Sequence, residues 1–219
     1  MCFFQEVIEV LAGQGGAQRV ARLRSEIGIN PVYEISHQGE RLTVLHPGVG
    51  APLAAAFLEE AIALGCRKFI ACGGAGVLNS EIALGHLIVP SAAVRDEGTS
   101  YHYLPPSREV EADPRGIAAI ETVLQRHGVE YLVGKTWTTD AVYRETRERV
   151  GRRRAEGCLT VEMEAAAFFA VAKLRGVSVG HILYGGDDLG GPEWDRRGWE
   201  RHSNREKVFW LAAEACLEL

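Results

Sequence analysis

The stretch CLTVEMEAAAFFAVAKLRG (residues 158–176) sets two carboxylates, Glu162 and Glu164, on either side of Met163, where an apolar strand runs into an apolar helix. A helix that is greasy on nearly every face is a buried one, and a buried carboxylate is costly unless something pairs with it. An acidic group in a first helical turn gains about 0.3–1 kcal/mol from the macrodipole, which explains one of the two as a structural residue. Residues two apart do not share a helix face, so the same explanation does not cover both. A second acidic pair, Asp187 and Asp188, lies in the glycine-rich stretch YGGDDLGG (184–191). Aspartate is a common turn former. At a strand end facing a site it could instead exchange a proton with a heterocycle, provided partial burial raises its pKa. The stretch CGGAGVL (72–78) is either a tight turn or a cradle in which Gly73, Gly74 and Gly76 let backbone N–H groups approach a ligand. It is not a dinucleotide fingerprint, because Val-Leu-Asn and then a further strand follow where a helix is required.

The elements that must bring these groups together read as alternating strands and helices. β-Branched apolar runs predict strands at Thr43–His46, Lys68–Cys72, Leu87–Ala92, Tyr131–Thr136, Leu159–Val161 and Val179–Leu183. Helical patterns cover Leu53–Leu64 and Ile117–His127, each stopped by a glycine, then Ala165–Leu174 and Glu206–Leu217. Alternation of this kind predicts a single α/β domain over 1–219, its mostly parallel or mixed central sheet flanked by helices. Ligands of such sheets sit at the carboxyl ends of strands. HPGVGAP (46–52, with Gly48), CGGAGVL, VEME and YGGDDLGG all stand at predicted strand ends.

Composition narrows the classes. The 219 residues are 47% hydrophobic and 24% charged, enough for one well-formed core. A net charge of −5 speaks against a nucleic-acid or membrane surface, and no apolar run is long enough to span a bilayer. Five scattered cysteines without a C-x-x-C suggest reduced thiols in a cytoplasmic protein. The start, MCFF, lacks a signal-peptide pattern and enters apolar sequence at once, as though the chain began inside an element. The seven histidines show no metal-ligand spacing, and no metal is expected. The stretch 95–106 mixes charges, hydroxyls and aromatics: an active-site or subunit-interface loop, or a solvated one. The arginine-rich 144–154 reads as a solvated helix face, and 192–202, with two tryptophans, as a lid or an oligomer contact.

The order and spacing of HPGVGAPLAAAFLEEAIALG, CGGAGVL, LIVPSAAVRDEGTSYHYLPP, TWTTDAVY, VEMEAA and GGDD, over about residues 41–190, resemble the nucleoside phosphorylase superfamily: purine nucleoside and uridine phosphorylases with their nucleosidase relatives. The resemblance implies cleavage of the N-glycosidic bond of a nucleoside. Glu164 is then expected to accept hydrogen bonds from the 2′- and 3′-hydroxyls, Met163 to pack on the sugar and Glu162 to support the site. Negative charge beneath the sugar favours an oxocarbenium-like transition state. Asp187 stands where purine-specific members carry the aspartate that protonates or hydrogen-bonds N7 of the leaving base, so a purine is expected. Val142, Tyr143 and Asp188 fall in the base region, although purine members often stack an aromatic residue where Val142 stands.

The attacking group is less well specified. Phosphorolytic relatives hold phosphate with an N-terminal G-D-P-x-R loop and with an arginine and Ser/Thr around the glycine stretch; here Ala71 and Gly74 take the latter two positions. Gly48, Gly73, Gly74 and Gly76 remain as backbone donors, and Arg19, in GGAQRV, matches the spacing of the N-terminal loop. Inorganic phosphate as co-substrate, giving ribose 1-phosphate, is the first expectation. Hydrolysis by water is the alternative, although the N-terminal glutamate motif of nucleosidases is not evident. A non-catalytic nucleoside sensor is the rival of another class. The resemblance implies no organic cofactor and a homodimer or homohexamer, in which His102 and Tyr103 are candidates to reach a neighbouring subunit's site.

Overall fold

The computed structural model describes residues 1–198 and 204–219. Helix α1 (Gln5–Gly13) precedes three strands, β1 (Ala17–Ser25), β2 (Gly28–His37) and β3 (Glu40–Leu45). Helix α2 (Ala51–Ala63) leads to β4 (Lys68–Val77), β5 (Leu87–Asp96) and the short β6 (Glu109–Glu111). Then come α3 (Pro114–Arg126), β7 (Tyr131–Thr139), α4 (Arg147–Ala155), β8 (Cys158–Glu162), α5 (Ala165–Arg175), β9 (Ser178–Asp188) and α6 (Asn204–Glu218).

The larger sheet runs β6-β5-β7-β8-β4-β9, and β9 turns back to pair with β5 through Leu87–Tyr184 and Ile88–Leu183. Five strands therefore close into a ring. Its β5–β7, β7–β8 and β4–β9 pairs are parallel, and β8–β4 and β5–β9 antiparallel. This is the mixed sheet flanked by helices that the sequence predicts. On one side α2 and α5 pack together with Phe69, Ala93 and Val179; on the other, α1, α3 and α6 cover Ile70, Val89 and Ile182. Every residue of α5 from Ala165 to Ala172 is buried, as an all-apolar helix requires. It ends on Gly176 in the left-handed conformation, φ 65°. Helix α3 meets β9 backbone to backbone: a Cβ on Gly116 would stand 2.8 Å from the Cα and N of Gly180.

The smaller sheet is antiparallel, β1-β2-β3, and only β3 was anticipated. Strand β1 carries Arg19, Arg22 and Arg24 and buries Leu23 alone, so no apolar face announces it. The β2–β3 hairpin turns on Gln38-Gly39, both at positive φ (53° and 83°). Such two-residue turns suit the twist of the strands. Met1–Phe3 lie against β4, with Cys72 N–H donating to Met1 O (2.9 Å) and Phe3 N–H to Cys72 O (3.0 Å).

The stretch 95–106 is braced from within rather than solvated throughout. The buried Arg95 guanidinium donates to Ser100 Oγ (2.8 Å), Ser107 Oγ (2.7 Å) and the Pro105 carbonyl (2.8 Å), and it stacks over Tyr101. Helix α4 is largely solvated, as expected, but Arg153 turns inward to pair with Asp96 at 2.8 Å. All five cysteines are free thiols. Among the described residues no helix is long and apolar enough to cross a membrane. Of the stretch read as a lid or contact, residues 199–203, with His202, lie outside the described residues.

Candidate active site

The ends of β4, β8 and β9 open into one cavity of about 400 Å³, lined by Gly73–Gly76, Val161–Glu164, and His181, Leu183, Gly186 and Asp187. Val49, Val142 and Glu145 complete one part of the wall, and Phe3, Phe4, Gln5, Glu6 and Arg205 another.

The two glutamates divide the roles that the sequence left open. Glu162 ends β8, 7% exposed, and accepts from the backbone N–H of Glu164 (2.7 Å) and Ala165 (2.6 Å) and from Thr138 Oγ1 (2.6 Å). It therefore ties down the N-terminus of α5, where a negative charge is favoured. Thr138 in turn accepts from the Ala166 N–H at 3.0 Å, which locks β7 to the same helix end. Glu164 is 6% exposed and reaches across to accept from Gly50 N–H (2.5 Å), with a longer bond from Met163 N–H (3.3 Å). Burial raises the pKa of both carboxyls, and the charge of Glu162 raises that of Glu164 further. Glu164 keeps lone pairs for a ligand; Glu162 has largely used its own.

Asp187 projects from the end of β9 into the cavity. Its Oδ2 accepts from Trp194 Nε1 at 2.6 Å, and its Oδ1 lies 3.4 Å from where a Cβ on Gly76 would be. Trp194, from the stretch read as a lid or an oligomer contact, thus borders the site through Asp187. Facing Asp187 is Glu145, whose pKa is raised to about 7 by burial first and the Asp187 charge second. Glu145 therefore holds a proton to higher pH than an ordinary carboxyl does.

Several residues expected here stand elsewhere. Asp188 points away from the cavity, because successive strand residues face opposite sides. It pairs with Arg197 (2.7 Å) and accepts from the Gly190 N–H (2.8 Å), a structural role. Tyr143 is 98% exposed and lines only a neighbouring cavity, which Val142, Glu145 and Asp187 border as well. The Gly48 N–H is taken by His46 Nδ1 at 3.0 Å, so it is no donor to a ligand. Arg19 is exposed on β1, paired with Tyr33 in the small sheet, and does not line the cavity. His102 is exposed and Tyr103 packs against the α2–α5 core; neither lines the cavity of its own chain.

Glu6, Glu145, His181 and Arg205 were not foreseen, since they come from four distant segments with no local motif. Among the described lining residues Arg205 is the sole Lys or Arg, and it is committed to Glu6 (2.5 Å) and to Tyr184 OH (3.4 Å). The glycine wall is also partly filled: the Phe3 ring stands 2.8 Å from a Cβ on Gly73, and the Tyr184 ring 3.0 Å from one on Gly74.

Comparison with known proteins agrees with this architecture. The Phosphorylase superfamily profile matches residues 2–217. A guanosine phosphorylase of Halorubrum lacusprofundi is 30% identical, covering 98% of this chain and 94% of its own. A uridine phosphorylase of Thermococcus kodakarensis is also 30% identical, covering 77% and 69%. Among solved structures, uridine phosphorylase from Vibrio fischeri superposes with TM-score 0.79 at 25% identity, over 100% of this chain and 89% of that one. AMP nucleosidase from Bacteroides thetaiotaomicron shares the fold, TM-score 0.77 at 24% identity, over 98% and 84%. A cavity at the strand ends, walled by the glycines of β4, the buried glutamates after β8 and the aspartate closing β9, is thus found in a chain that belongs to the phosphorylase superfamily.

Proposed function

We propose that this protein cleaves the N-glycosidic bond of a purine nucleoside by phosphorolysis, releasing the base and ribose 1-phosphate. The observation that carries the reading is the meeting of Glu164, with acceptor capacity to spare, and Asp187, held by Trp194, in one cavity. A carboxylate can accept from two adjacent hydroxyls at once, which fits a ribose 2′,3′-diol. As the C1′–N9 bond breaks, its electron pair leaves with the base. A proton delivered to N7 through Asp187, replenished from its neighbour Glu145, neutralises the departing purine. The charge that the glutamate pair carries when ionised favours the cationic sugar that forms, and an oxygen of phosphate then bonds to C1′.

Hydrolysis is the second reading, and a specific observation favours it. Among the described residues the cavity wall carries Glu6, Glu145, Glu162, Glu164 and Asp187 against Arg205 alone, and Phe3 and Tyr184 crowd the glycine wall. A phosphate dianion gains little in such surroundings, whereas water enters at no electrostatic cost. The same reading takes a homo-oligomer, dimer or hexamer, to which His102 and Tyr103 belong as contacts toward a neighbour.

The test is base release from inosine and adenosine with and without inorganic phosphate. Release that requires phosphate and yields ribose 1-phosphate supports phosphorolysis. Equal release without it supports hydrolysis. Ligand-induced thermal stabilisation with no base released by either route would overturn both in favour of a nucleoside-binding protein.

A further inference from the structure

A second cavity, of about 450 Å³, adjoins the one that holds Glu164, and the proposed chemistry gives it no part. Its size suits a small-molecule group. Val142, Glu145 and Asp187 line both cavities, so the partition between them is one side chain thick. Leu189, in the second, abuts the Gly76 of the first. Val142 is 48% exposed, so at that point the partition is open to solvent and not sealed within the core.

The lining of this second cavity is mostly apolar, and its rings are uncovered. Tyr143 (98% exposed) and Trp194 (63%) stand around it with Val150, Leu189 and Pro192. Exposed aromatic surface in a concavity is surface that an apolar ligand group gains by covering. Trp194 has already satisfied its one donor, Nε1, on Asp187 at 2.6 Å, which leaves its ring as apolar area. Arg147 and Glu193, the charged residues that line this cavity and not the first, are both exposed and keep their water.

Position decides which part of a substrate enters. With Asp187 at N7, the substituent on C6 lies on the same edge of the purine, away from C1′. The other neighbour of N7, C8, is bonded to N9 and faces the sugar. Glu164, assigned to the sugar diol, lines the first cavity and not the second. A base held between these two carboxyl groups therefore carries its C6 substituent toward the boundary of Val142, Glu145 and Asp187. We propose that the second cavity is a subsite for an aromatic substituent on the exocyclic atom at C6 of a purine nucleoside, and that the protein prefers such nucleosides to unsubstituted ones. This rests on the reading of the protein as a purine nucleoside-cleaving enzyme.

The experiment compares adenosine with N6-benzyladenosine in base release by wild type, Tyr143→Ala and Thr146→Trp, alongside melting temperatures. The first variant strips a ring from the second cavity and the second narrows it. Both side chains are exposed, and Thr146 makes no capping bond to α4, so both variants melt close to wild type. Trp194 is left in place because it also holds Asp187. Partial burial of a phenyl ring predicts a wild-type KM for N6-benzyladenosine at least about tenfold below that for adenosine. Both variants raise the N6-benzyladenosine KM at least about fivefold and leave that of adenosine within about twofold. Equal KM values for the two substrates in wild type overturn the proposal. So do variants that leave the N6-benzyladenosine KM unchanged or shift both substrates alike. Cleavage of uridine with neither purine nucleoside touched overturns the purine reading, and this inference with it. If no nucleoside is cleaved, the enzymatic reading falls and the subsite is judged by binding. The concentrations of the two ligands that half-saturate thermal stabilisation then differ at least about tenfold, and both variants abolish the difference; equal values in wild type overturn the subsite as well.

Discussion

Replacing Glu164 by glutamine tests the site through activity and stability at once. A carboxylate offers about four acceptor positions. Glu164 uses one fully on the Gly50 N–H at 2.5 Å and another weakly on Met163 at 3.3 Å. About two remain, the number a vicinal diol requires. Glutamine keeps a single acceptor oxygen, which Gly50 occupies, and turns its NH₂ toward the sugar. Two hydrogen bonds to a charged acceptor are worth about 1.5–3 kcal/mol each. Their loss predicts a fall in kcat/KM of about 10²–10⁴-fold. The stability change has the opposite sign. The folded-state pKa of Glu164 lies above its unfolded value, raised by burial and then by Glu162. Its contribution is therefore intact at low pH and is lost as pH rises through the folded value. Each unit of that shift is worth about 1.4 kcal/mol, or roughly 3–6 °C in a chain of this size. E164Q should thus melt several degrees above wild type at about pH 8.5 and converge with it toward about pH 4.5. The assays are base release and thermal unfolding over that range. A kcat/KM within about threefold of wild type refutes the sugar role; a melting difference independent of pH refutes the account of a strained buried carboxylate.

Asp187→Asn should cut purine nucleoside cleavage by about 10²–10⁴-fold, measured as kcat/KM on inosine; unchanged turnover would remove Asp187 from the chemistry. Glu145 holds its proton below about pH 7 and loses it above, where it faces Asp187 as a second charge. Wild-type kcat should therefore fall as pH rises through about 7, and Glu145→Gln should flatten that limb; an identical profile in the variant refutes the pairing. Gly116→Ala forces a methyl to within 2.8 Å of the Gly180 backbone. It should cost about 1–3 kcal/mol or more as overpacking, read in denaturant midpoints, and a neutral midpoint would mean that α3 can move off β9.

Each predicted strand was found, because buried β-branched runs such as Phe69–Ile70 and Val179–Ile182 have few other places to go. Helices α2, α3 and α5 were legible from their glycine stops. Helix α1 and strands β1 and β2 were not: β1 lies mostly in solvent and is specified by pairing with β2, which no local pattern reveals. At the site, Glu162, Met163, Glu164 and Asp187 were legible because each lies within a compact motif at a strand end. The division of labour between Glu162 and Glu164 was not. It depends on Thr138 and Gly50, more than 20 and 100 residues away along the chain. Likewise Asp188 separates from Asp187 only once the strand is known to continue through both, so that alternation turns one in and the other out. The carboxylate Glu6, the cation Arg205 and the imidazole His181 reach the cavity by tertiary packing alone.

Strand β9 is hydrogen-bonded on both flanks, to β4 along its length and to β5 near Leu183 and Tyr184. A one-residue slip would break both ladders together and turn Asp187 out of the cavity and Asp188 in. The ring therefore fixes the geometry of the cavity against gradual drift, and insertions within β9 are barred to any descendant of this sequence that keeps the fold. Room for new substrate preferences lies instead at the cavity mouth, in the turn around Val142–Glu145 and the stretch carrying Trp194. The backbone bonds of the Val142–Glu145 turn are local, so a change of length or side chain there leaves the ring as it was, whereas Asp195, next to Trp194, is bridged to Asp188 of β9.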